Sequence, residues 1–123
     1  MKWNFTDDLP IYQQIMDVIR QGIASGELMA GERLPSVREL ALEAEVNPNT
    51  MQKALAELER EGLLYSKRTS GRFVSETQEV RNALKKELAD GYVSDFLEKM
   101  EKLGYGKKEI IALIQEREDG KWS

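Results

Sequence analysis

Between residues 47 and 53 the chain sets five hydrogen-bonding side chains close together: Asn47, Asn49, Thr50, Gln52 and Lys53. Asparagine and glutamine each carry a donor beside an acceptor, the pair that matches the adenine edge in a DNA major groove. Upstream stand Ser36 and Arg38, suited to holding a phosphate. Downstream, Lys67, Arg68 and Arg72 bracket Thr69-Ser70-Gly71. A basic turn with a glycine approaches a minor groove or a backbone closely. The chemistry in view is contact with double-stranded DNA.

Other chemistry is short of groups. The chain has no Cys and no His, which removes thiol nucleophiles, disulfides, imidazole acid–base catalysis and zinc sites of the Cys/His type. It has no phosphate-binding glycine loop and no isolated pair of acids. Gly104-Tyr105-Gly106 is too short for such a loop and reads as a helix break, and Asp7-Asp8 reads as a helix-entry feature. The expectation is no catalytic residue, no cofactor and no metal, so not an enzyme.

The elements that must position these residues follow from caps and apolar spacing. A first helix opens at Leu9-Pro10, carries Ile11, Ile15, Val18, Ile19 and Ile23 on one stripe, and ends at Ser25-Gly26. Glu27 to Leu34 is a connector with a short strand around Arg33-Leu34. Ser36-Val37-Arg38-Glu39 is a capping box that starts a short helix ending near Ala44-Glu45. Asn47 as cap and Pro48 as first residue start the next, which buries Met51, Ala54, Leu55 and Leu58 and closes at Gly62. Two short helices across a tight turn form a helix-turn-helix. Leu63–Lys67 and Arg72–Ser75 read as strands around a turn at Arg68–Gly71, a wing that must pack on the helices. The fold class expected is mainly α with a small β-hairpin: a winged helix-turn-helix domain over residues 1–76 and a two-helix dimerisation tail over 77–123.

In the tail, Val80, Leu84, Leu88, Tyr92, Phe96, Met100 and Leu103 recur at helical spacing across Gly91, and a last helix runs from Lys107 to about Glu118. Two helices alone cannot bury faces this apolar. The expectation is a symmetric homodimer interface built from Leu84, Leu88, Tyr92, Phe96, Met100, Ile110, Leu113 and Ile114. The alternative is that the stripe packs on the chain's own first domain. A homodimer would hold its two recognition helices about 34 Å apart and require a palindromic operator.

Charge stands against a nucleic-acid partner. The net charge is −4, and residues 1–77 hold nine basic against twelve acidic side chains. The DNA site must therefore be a local patch. Screening within about 8 Å at about 0.15 M salt lets nearby cations outweigh distant acids. Glu57, Glu59 and Glu61 are expected toward the far end of their helix. Plain readings stand beside these: Ser36 and Asn47 serve equally as caps, and Arg38 and the wing cations as solvated surface charge. A winged-helix module that binds protein is the alternative from another class.

The run from Pro10-Ile11-Tyr12-Gln13-Gln14-Ile15, through Gly31-Glu32-Arg33-Leu34-Pro35-Ser36-Val37-Arg38-Glu39-Leu40-Ala41 and Val46-Asn47-Pro48-Asn49-Thr50, to Gly71-Arg72-Phe73-Val74 resembles the GntR family of bacterial repressors. The short tail resembles its YtrA subfamily; larger members carry an effector-binding domain that has no counterpart here. The resemblance implies that Arg38 holds the DNA backbone or a base near the operator centre. It puts Asn49, Thr50 and Gln52 in the recognition-helix slots and Gly71 at the wing tip in the minor groove. Many relatives carry arginine where Pro48 and Gln52 stand here. That departure implies more adenine contact and more reliance on Arg38, Lys53 and the wing. A small-molecule effector acting where tail and DNA-binding domain meet, and a cytoplasmic location with no membrane span, complete the expectation. The longest apolar run, Ile110 to Ile114, is far short of a span.

Overall fold

The computed structural model describes residues 1–117. Five helices and one hairpin follow in the order α1 (Ile11–Ser25), α2 (Val37–Ala44), α3 (Pro48–Arg60), β1 (Leu64–Lys67), β2 (Gly71–Val74), α4 (Gln78–Lys102) and α5 (Lys107–Gln115). This is the mainly α winged helix-turn-helix with C-terminal helices that the sequence spacing predicts. The chain divides into two compact units, residues 1–86 and residues from 87 onward, with the division inside α4.

The first unit is built on one core. Ile15 and Ile19 of α1, Leu40 of α2, Met51, Leu55 and Leu58 of α3, Leu64 of β1 and Val74 of β2 are fully buried together. Each fully buried aliphatic side chain of this size contributes about 1.5–3 kcal/mol. The hairpin pairs antiparallel, with Leu64 opposite Val74 and Lys67 opposite Gly71. Two short strands alone are marginal, and the connector reinforces them. Arg33 bridges Phe73, Leu34 N donates to Arg72 O, and Gly31 N donates to Val74 O, each at 2.9 Å.

The first helix differs from expectation at its entry. Pro10 is its N-cap, with extended ψ of 142°, and the first helical residue is Ile11. Ile11 stays exposed and Val18 half-buried, while Gln14 and Met16 are buried instead. The cause is the segment before the helix, whose backbone polar groups need partners. Gln14 supplies them: its Oε1 accepts from Thr6 N at 2.8 Å, and its Nε2 donates to the carbonyls of Thr6 and Leu9 at 2.9 and 2.7 Å. The same arm reaches α2, where Trp3 Nε1 donates to Glu43 Oε2 at 2.7 Å. At its other end α1 closes on Gly26 in the left-handed region, φ 88°, as its sequence requires.

The tail helix α4 runs through Gly91 without a break, and the chain turns at Gly104 before α5. The eight apolar residues assigned above to a partner surface do not behave alike. Leu84 and Ile110 are already buried within the single chain. Leu88 and Met100 are half-buried, and Tyr92, Phe96, Leu113 and Ile114 are exposed. The helix expected to reach Glu118 ends at Gln115; Glu118 itself lies outside the described residues. Among the described residues no helix is long and apolar enough to cross a membrane, and no cluster of acids is arranged to hold a metal ion.

Candidate nucleic-acid interface

The start of α2 is fixed by local chemistry. Ser36 Oγ accepts from Glu39 N at 3.1 Å, and Glu39 Oε1 accepts from Ser36 N at 3.0 Å, completing the capping box. Hydrogen bonding to the carboxyl by Ser36, its backbone N–H first and its side chain second, holds Glu39 below the usual carboxylate range. The cap projects Arg38 outward from the first turn, exposed. Arg38 borders an open groove of about 500 Å³ together with Ala41, Leu42, Glu45, Val46 and Pro48. The first turns of α2 and α3 therefore share one surface. Leu42 lies on it 75% exposed. Between the helices Glu45 takes the left-handed conformation, φ 57°.

At the start of α3, Asn47 Oδ1 accepts from Asn49 N at 2.7 Å and Pro48 fills the first helical position. That bond commits the Asn47 oxygen to the cap. Asn49, Gln52 and Lys53 are exposed and Thr50 is half-buried. Lys53 leans back over α1, its Nζ 3.9 Å from the centroid of the Tyr12 ring, a cation–π contact.

The wing presents Lys67, Arg68, Thr69, Ser70 and Gly71, all exposed. Ser70 N donates to Lys67 O at 3.0 Å to close the turn. Thr69 sits at φ 65° and Gly71 at φ 104°. A side chain at Gly71 would be strained by that backbone, and its Cβ would lie 3.1 Å from Arg33 Nε. The Arg33 guanidinium therefore lies against the wing at Gly71. Reading by sequence passed over Arg33, because it sits in a connector. The usable signal was the short strand expected around Arg33-Leu34, which the wing hairpin can partner.

Arg72 is placed otherwise than a free wing cation. Its side chain is only 19% exposed and turns onto α3. Nε donates to Glu59 Oε1 at 3.0 Å and Nη1 to Gln52 Oε1 at 3.3 Å. Ser66 Oγ donates to the same Glu59 oxygen at 2.8 Å. Arg72, then Ser66, hold the Glu59 carboxyl below the usual carboxylate range. Glu59 stands toward the far end of α3, as expected, and from there it faces the wing. The reason is packing: the hairpin lies along the second half of α3, so that half also faces the wing. Glu57 and Glu61 are engaged elsewhere, with Arg60 at 3.0 Å and with Arg20 Nε of α1 at 3.2 Å.

The candidate residues thus join in sequence along one unit. The shared groove joins Arg38 to the start of α3, the Arg72–Gln52 bond joins α3 to the wing, and Arg33 lies against Gly71.

The family model described as bacterial regulatory proteins, gntR family, matches residues 11–74. Over 116 residues the chain is 36% identical to the HTH-type transcriptional repressor YtrA of Bacillus subtilis (strain 168), covering 86% of this chain and 88% of that protein. A solved GntR family transcriptional regulator from Listeria monocytogenes aligns with a TM-score of 0.83 at 40% identity, covering 91% of this chain and 98% of that one. AraR(DBD), solved in complex with operator ORX1, aligns with a TM-score of 0.55 at 31% identity, covering 58% of this chain and 93% of that one.

Proposed function

The chain belongs to the gntR family of bacterial regulatory proteins, and within it we propose a homodimeric repressor that grips a palindromic operator. It is a DNA-binding transcription regulator of the YtrA-like kind. In the proposed complex the first turns of α3 enter the major groove, where Asn49, Thr50, Gln52 and Lys53 meet base edges. Ser36 and Arg38 at the start of α2 hold the backbone, helped by amides at the ends of both helices. Lys67, Arg68, Thr69, Ser70 and Gly71 bring the wing to the minor groove, with Arg33 behind them on a phosphate. Asn47 and Arg72 act by setting the shape of this surface. The setting is the cytoplasm.

One observation carries the reading: the exposed Arg38 shares a groove with the start of α3, and the Arg72–Gln52 bond joins α3 to the wing, although the chain as a whole is acidic. The neighbour AraR(DBD) supports it, because a fold shared over 58% of this chain is solved there on an operator.

Selection of bound duplexes from a random pool tests it. The expected product is an inverted repeat. Contact with about six phosphates lowers affinity roughly 10³-fold between 50 and 200 mM salt. A pool that yields no enriched sequence overturns the assignment, and an enriched site without symmetry overturns the dimer.

A further inference from the structure

Gln52 has two faces, and the fold has already used one of them. A guanidinium offers five donors and no acceptor. Any amide group that meets it must therefore present its carbonyl oxygen, as Gln52 Oε1 does to Arg72 Nη1 at 3.3 Å. The cation is itself pinned. Glu59 Oε1 takes Arg72 Nε at 3.0 Å and the Ser66 hydroxyl at 2.8 Å. Ser66 is in turn the residue opposite Arg72 in the β1–β2 pairing. Gln52 and Glu59 lie on the same side of α3, about 10 Å apart along its axis, and the Arg72 side chain lies along the helix between them.

A free glutamine reads adenine by accepting from the exocyclic amino group and donating to N7. With its oxygen turned to Arg72, Gln52 offers a base its amide nitrogen, which carries two donors. Two donors suit an edge that bears acceptors. Guanine presents two, O6 and N7, and thymine one, O4; adenine and cytosine present an amino group at the same place.

We propose that Arg72 is a positioning residue that sets the base preference of Gln52: by taking the amide oxygen it leaves the amide nitrogen to read guanine, with thymine second, in place of adenine. The inference rests on the reading of α3 as the recognition helix. It replaces the adenine preference that the composition of α3 alone suggests.

The experiment is random-pool selection at one salt concentration with the full chain, Gln52→Ala, Arg72→Met and Arg72→Lys. The position that Gln52 reads is the one whose preference vanishes in Gln52→Ala, a change at an exposed site that leaves the core alone. At that position the unsubstituted protein favours guanine over adenine by about tenfold or more, the lower part of the range for one base contact. Arg72→Met, which keeps an unbranched stem and removes the donors, moves the preference toward adenine. Arg72→Lys, which keeps a donor, retains guanine.

Adenine at the Gln52-dependent position of the unsubstituted protein overturns the proposal, with no need of the Arg72 variants. So does a selected site in which no position depends on Gln52, or a preference that ignores Arg72→Met. A chain that selects no sequence at all overturns the recognition-helix reading, and this inference with it.

Discussion

Arg38 differs from its neighbours in its pairing. Arg20, Arg60 and Arg72 each pair with a carboxylate, whereas among the described residues none pairs with Arg38. Arg38→Ala is expected to weaken operator binding by about 1–3 kcal/mol while the melting temperature stays unchanged, as read by a binding isotherm beside a thermal scan. Glu59 makes a prediction of opposite character. Its folded carboxyl titrates below the ordinary glutamate range because Arg72, then Ser66, donate to it. The stabilisation it gives is therefore complete above the unfolded pKa of about 4.3 and disappears as pH falls through the lower folded value. The Glu59 carboxyl resonance in a pH titration should show a depressed midpoint that moves up in Arg72→Met. The caps of α2 and α3 were legible in the sequence because each is made within four residues: Ser36 with Glu39, Asn47 with Asn49. The partner of Arg72 was not legible, because Glu59 is brought to it only when the hairpin packs along α3.

At the scale of elements, apolar spacing and start signals were enough to place three helices and a hairpin, since each buries one stripe. Two details escaped. The spacing could not show that Gln14 turns inward, because its partners are backbone groups of an irregular segment. Nor could it show how the connector's amides complete the hairpin. The turn between α2 and α3 carries a conformational cost. Glu45 is left-handed at φ 57°, a state that costs a residue with a Cβ about 1–2 kcal/mol. Glu45→Gly relieves the cost but enlarges the freedom of the unfolded chain. The expected net is a gain of about 0.5–1 kcal/mol, measured by denaturant unfolding. The same change removes an acid from the groove that Arg38 borders, so DNA affinity should rise rather than fall.

For the whole molecule, the net charge of −4 was the strongest objection to a polyanionic partner. Pairing of Glu57, Glu59 and Glu61 with arginines answers part of it, since a paired acid repels a phosphate less than a bare one. The tail poses the second question at this scale. Tyr92 and Phe96 stand 52% and 41% exposed in the single chain, and side chains of this kind on one helix mark a contact surface. Phe96→Asp is expected to turn a dimer into a monomer in sedimentation velocity. Because Phe96 is exposed, the helical circular dichroism should persist. A sedimentation coefficient that does not change removes Phe96 from the interface. The sequence pattern located this apolar stripe without separating Leu84 and Ile110, which the chain buries for itself, from the residues it leaves exposed.

The hydrogen bond between the Trp3 indole and Glu43 gives the protein an optical gauge of its own. The chain has two tryptophans, and Trp122→Phe leaves Trp3 as the sole emitter at long wavelength. Its fluorescence then reports whether the N-terminal arm is seated on α2, the helix that carries Arg38, and does so without dye or tag. Released into water, the indole emits further to the red. A titration with duplex DNA thus registers any loosening of that helix as a change of colour in the same cuvette.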